Sequence, residues 1–133
     1  RRFLELLADR PNGGVAESHW ESRVAAALVE RGVQGLELQR WMDVPNWGAI
    51  RLDASVDAIR WAVEVDGHPD HFTSIGASKD AGRDLACDAI GWCVSRVTAR
   101  RLEEAFDDAM AALVRVYERR CVDAGLPPYD PWR

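Results

Sequence analysis

Three acidic residues in two short stretches have the types and spacing to hold a hard cation. They are Asp53, in Arg51-Leu52-Asp53, and Glu64 and Asp66, in Trp61-Ala62-Val63-Glu64-Val65-Asp66-Gly67. In an extended strand, positions two apart point to the same face, so Glu64 and Asp66 project together from the end of an apolar run. Carboxylates are costly to bury there unless donors or a cation compensate them. If the two stretches pair as a hairpin, Asp53 joins the other two. Like charges that close raise one another's pKa, and a divalent ion relieves the repulsion. Oxygen-only ligands favour Mg²⁺ (or Mn²⁺), which keeps several waters and takes one or two carboxylates plus substrate phosphate. The chemistry that follows is phosphodiester hydrolysis by a metal-activated water, with the ion neutralising charge on phosphate and leaving oxygen. Spacing alone leaves a second reading open, because surface hairpins carry many Asp and Glu as solvated strand-end caps.

The elements that must position these residues follow from the hydrophobic pattern. A short helix over residues 1–9 is broken by Pro11-Asn12-Gly13-Gly14. A second helix is expected from Ser18 to about Glu30, with Val24, Ala25 and Leu28 on one face and Gly32 as its stop. Residues 35–43 alternate like a half-buried strand, and Pro45-Asn46-Trp47-Gly48 makes a hairpin-like turn. Ile50–Val56 alternates again, with Arg51, Asp53 and Ser55 on its polar side, while Trp61–Val65 is nearly continuously apolar, as in a central strand. After a polar loop, His68 to Ser78, residues 79–90 have helical spacing, and Trp92–Val97 reads as a short strand. Thr98 is the expected N-cap of a last helix running to about Cys121, with Leu102, Phe106, Met110, Leu113 and Tyr117 in one stripe. Helix, three strands, helix, strand, helix predicts an α/β (α+β) fold with a central mixed sheet flanked by helices. The expected division is an N-terminal helix and linker over 1–16, one domain over 17–123, and a Pro-rich tail over 124–133.

Bulk properties narrow the function. A chain of 133 residues with 47% hydrophobic content can bury a core without staples. Cys87, Cys93 and Cys121 are an odd set with no C-x-x-C spacing, which favours a reducing, cytoplasmic setting over disulfides. A zinc site from Cys87, Cys93, His68 and His71 is disfavoured on the same ground. No apolar run approaches the roughly 20 residues of a membrane span. The net charge of −5 argues against coating DNA through bulk positive charge, although Arg96, Arg100, Arg101, Arg115, Arg119 and Arg120 cluster late in the chain. A start at Arg1 rather than Met fits either a trimmed chain or one domain of a longer protein, in which case a further N-terminal domain is a candidate partner.

An ordered set of elements carries a resemblance over roughly residues 17–102: E17-S-H-W-E21-S-R, R51-L-D53, R60-W-A-V-E64-V-D66-G67, His71, R83-D84 and G91-W-C-V-S-R96-V-T98. This set resembles a large group of uncharacterised bacterial domains related to the very-short-patch-repair endonucleases of the PD-(D/E)xK superfamily. The resemblance implies a restriction-endonuclease-like core, a Mg²⁺ (or Mn²⁺) cofactor and DNA as partner. It places Asp53 at the metal-ligand Asp, Glu64 at the acidic position of the (D/E)xK element, and the Val65 carbonyl on the metal. Glu21 matches a supporting acid on the first helix, and His71 a loop histidine. Asp66 falls where the superfamily usually has Lys, whose part in positioning water and steadying charge would then pass to His71, Lys79 or Arg83.

Two hypotheses of different class follow. The first is a Mg²⁺-dependent DNA endonuclease or nickase using Asp53, Glu64, Asp66, His71 and Lys79, with Arg83, Arg96, Arg100 and Arg101 on DNA phosphates. The second is a catalytically degenerate nuclease-fold module that binds DNA or a protein partner within a larger regulatory or toxin–antitoxin-like protein; the absent lysine at position 66 motivates it. In either, the last helix and tail offer a surface for a homodimer. Each arginine also has a plain structural reading as a solvated or locally paired helix-end residue. Trp61 and Trp92 are expected in the core, and Trp47 at a turn tip either stacks on a base or covers an edge.

Overall fold

The structure, a computed structural model, describes residues 14–67 and 74–126, with side chains for 19–67 and 81–126. The elements are α1 (Gly14–Glu30), β1 (Leu36–Val44), β2 (Gly48–Val56), a 3-10 turn (Asp57–Ile59), β3 (Trp61–Asp66), α2 (Ser74–Ala89), β4 (Cys93–Thr98) and α3 (Ala99–Asp123). The fold is mixed α/β, with the expected element order. Its four-stranded sheet has the order β1-β2-β3-β4. The first three strands are antiparallel neighbours, and β4 lies parallel to β3 through the α2 crossover.

Alternation in β3 explains why helices cover both faces. Trp61, Val63 and Val65 join the larger cluster with Val24 and Leu28 of α1 and Leu102, Met110 and Leu113 of α3. Ala62 points the other way, into a smaller cluster with Leu52, Cys87 of α2 and Trp92. A strand apolar on both sides is what a central position demands. Trp61 is fully buried, and its indole N–H donates to Ser95 Oγ at 2.9 Å, so its polar end is satisfied inside the core.

Local signals account for the ends of elements. After α1, Gly32 takes φ 100 while Val33 N–H returns to Leu28 O, a left-handed stop that glycine adopts without Cβ strain. Thr98 closes β4 and caps α3, its Oγ1 accepting from Arg101 N–H at 3.1 Å. Several boundaries differ from the pattern. The helix α1 starts at Gly14 rather than Ser18, and α2 at Ser74 rather than residue 79. Trp92 sits just before β4 rather than in it, yet it is buried against the α2 side of the sheet. The region 1–9 and the tail beyond 126 lie outside the described residues. No helix among the described residues is long and apolar enough to cross a membrane.

The strand β2 changes its allegiance midway. Ile50 and Leu52 pack in the cluster beneath α2, whereas Ala54 and Val56, of the same parity, pack in the cluster beneath α1 and α3. The switch falls at Asp53. At the same level the β1–β2 ladder skips a pair, running from Leu38↔Ala54 to Arg40↔Leu52, and Gln39 adopts φ 54.

Candidate functional site

The β2–β3 ladder ends at Ala54↔Val63, one step short of Asp53 and Glu64. Beyond that point the two carboxylates take the backbone donors that pairing would have used. Asp53 N–H donates to Glu64 Oε2 at 2.8 Å, and Val65 N–H donates to Asp53 Oδ2 at 3.0 Å. Each acid is thus anchored on the other's strand. Both are buried, Asp53 at 8% exposure and Glu64 at 4%. Burial, then the Asp53 charge, pushes the Glu64 carboxyl up to about 8, against the lowering effects of Arg83 and the Asp53 N–H.

Arg83 supplies the nearest compensation. Because α2 covers the face of β3 that carries Glu64, Arg83 reaches Glu64 Oε1 through Nη1 at 2.5 Å and donates from Nη2 to Arg51 O at 3.1 Å. The helix docks closely here: a Cβ on Gly82 would lie 3.1 Å from the Trp47 ring. Trp47 thus lies against α2 at Gly82 while staying 40% exposed. Arg83 can steady negative charge, but a guanidinium offers donors only and no acceptor to serve as a base.

Asp66 projects to the same face as Glu64, as its spacing predicts, but does not converge with the other two. It accepts from Arg96 Nη1 at 3.1 Å and 3.3 Å, while Arg96 Nε and Nη2 grip Asp84 at 2.8 Å and 2.7 Å. One guanidinium thus ties the ends of β3 and β4 to α2. The expected three-carboxylate cluster is accordingly a pair, and no group of three His, Cys, Asp or Glu side chains among the described residues is placed to hold an ion. Parity decides which face a side chain takes; the register of a parallel neighbour, Glu64↔Arg96, decides what it meets there.

On α1, Glu21 is buried at 4% and accepts at Oε1 from Gln39 Nε2 at 3.0 Å. Gln39 was not singled out in the sequence, where a lone Gln in an alternating strand carries no signal. Arg100 and Arg101 are exposed at the start of α3, Arg100 reaching Glu104 at 3.5 Å. Lys79 lies on α2, but its side chain, like His68, Asp70 and His71, lies outside the described residues. Cys87 is a buried thiol pushed up by desolvation, ill suited to metal binding, which requires the thiolate.

The donor set fits a hard dication in kind. Two buried carboxylates and a strand-end carbonyl, with Glu64 raised by burial and then by the Asp53 charge, are oxygen donors of the kind Mg²⁺ or Mn²⁺ accepts. The fit requires Arg83 to share or release Glu64. No family model matches the chain, and no curated protein or solved structure matches it either.

Proposed function

We propose that the chain is a Mg²⁺-dependent (or Mn²⁺-dependent) DNA endonuclease or nickase built on a restriction-endonuclease-like core. The observation that carries this reading is the interlocked Asp53–Glu64 pair at the point where β2 and β3 part. Asp53, Glu64 and the Val65 carbonyl would hold the ion, and Glu21 would support them from α1. A bound dication supplies Lewis acidity, making a water nucleophilic near neutral pH and neutralising phosphodiester charge. Arg83, already at the pair, would steady charge on the phosphate, the part the resemblance gives to a lysine at position 66. Arg100 and Arg101, exposed at the α3 start, would take backbone phosphates. His71 and Lys79 stay candidates for positioning the attacking water.

A second reading has one specific observation in its favour. Arg83 gives Glu64 the positive charge an ion would otherwise bring, and Asp66 stands where a cation is expected. On that reading the pair is a neutralised remnant in a module that binds DNA or a protein. Incubation of supercoiled plasmid with the protein and Mg²⁺ or Mn²⁺ separates the two. Nicking or linearisation that disappears in both Asp53→Ala and Glu64→Ala supports the nuclease. Cutting that survives both substitutions places the activity elsewhere, and absence of cutting together with absence of Mn²⁺ binding by calorimetry supports the remnant.

A further inference from the structure

Gln39 breaks two rules that an interior strand residue normally obeys. Its φ of 54 is a left-handed conformation that long side chains avoid, in the middle of a nine-residue strand. Its side-chain Oε1 is buried with no hydrogen-bond partner among the described residues, although Nε2 is satisfied at Glu21. The amide orientation is dictated by that contact, since only the NH₂ group can donate to a carboxylate. A glutamine kept for packing alone would use both ends of its amide or be replaced by a residue suited to the backbone. Strain of this kind persists where a site demands it.

The place of the irregularity gives its meaning. Ladder pairs Leu38↔Ala54 and Arg40↔Leu52 flank it, so Gln39 stands directly across from Asp53, where β2 changes faces. One residue thus links the buried acid of α1 to the strand position of the acidic pair.

We propose that Gln39 is a positioning residue for the Asp53–Glu64 centre, holding Glu21 in place through Nε2 and offering Oε1 to water that arrives with a divalent cation. This rests on the nuclease reading above, and deepens it. Oε1 is a neutral acceptor, so it orients a water without adding charge to a site already rich in it. The left-handed turn at residue 39 is what aims the amide toward Glu21 rather than along the regular pleat.

Two variants test this, Gln39→Gly and Gln39→Asn. Both tolerate positive φ, and both remove the amide that reaches Glu21. Calorimetric titration of Mn²⁺ is combined with thermal melts of the metal-free proteins. Residues that orient ligands or their waters typically change metal affinity by about 10–100-fold when lost, and a drop of about tenfold or more is expected in both variants. The metal-free melting temperature of Gln39→Gly should change little, because the relieved strain and the removed orphaned acceptor offset the hydrogen bond that Glu21 loses. Unchanged Mn²⁺ affinity in both variants overturns the inference, and so does a fall in metal-free melting temperature with affinity intact, the mark of a purely structural residue. Failure of the nuclease reading shows in the wild type, as absence of Mn²⁺ binding; failure of this inference alone shows only in the variants.

Discussion

Replacing Glu64 with Gln should remove the pH dependence of stability that this buried carboxyl imposes. The Glu64 carboxyl titrates near 4.5 in the unfolded chain and at about 8 in the folded one, raised by burial and by Asp53. A group whose folded value is raised contributes stability that is complete below the unfolded value and lost as pH climbs through the folded value. Wild-type stability should therefore fall between about pH 4.5 and pH 8. At about 1.36 kcal/mol per pH unit, that window has a ceiling of ~5 kcal/mol for a single titrating group. Gln cannot ionise, and its oxygen can still accept the Asp53 N–H now 2.8 Å from Oε2, but its NH₂ would then face the Arg83 donors. The variant should lose ~1–2 kcal/mol at about pH 5, where wild-type Glu64 is neutral, for that mismatched contact. Its curve should cross the wild type as pH rises and stand ~3 kcal/mol above it near pH 9. Urea unfolding in chelator from about pH 5 to 9 measures both curves. Parallel curves, or a wild type that gains stability across this window, would refute the buried-pair argument.

Arg83→Met should cost ~3–5 kcal/mol above the Glu64 titration, where the pair is charged, and far less near pH 6; equal losses at both pH values would assign Arg83 to packing alone. Addition of Mn²⁺ should flatten the wild-type pH profile by holding Glu64 ionised, an effect absent in Asp53→Ala; urea midpoints with and without the ion measure it. Thr98→Ala removes the acceptor of the Arg101 N–H and should lower stability by ~1 kcal/mol without altering Mn²⁺ binding. A binding change there would connect the cap to the site.

Much of the architecture is legible in residue patterns. The near-continuous apolar run Trp61–Val65 announces a strand covered on both faces, and Trp61, Ala62, Val63 and Val65 are all buried. The Leu102–Tyr117 stripe and the Thr98 cap locate α3 because side-chain period and capping chemistry are local properties. Asp53 and Glu64 stand out for the same reason: acids in apolar strands need a partner.

What surrounds those acids is not legible. Their interlock depends on the ladder ending at Ala54↔Val63, Asp66 belongs to Arg96 because β4 sets that register, and Arg83 meets Glu64 because α2 settles on that face. The left-handed turn at Gln39 has no sequence mark whatever. Composition and periodicity alone determined which elements form and which faces they bury, since both follow from forces acting within a few residues. Only the tertiary structure decided that two carboxylates rather than three share the fork, and that an arginine joins them, because ionic partners are chosen by distances between segments far apart in the chain.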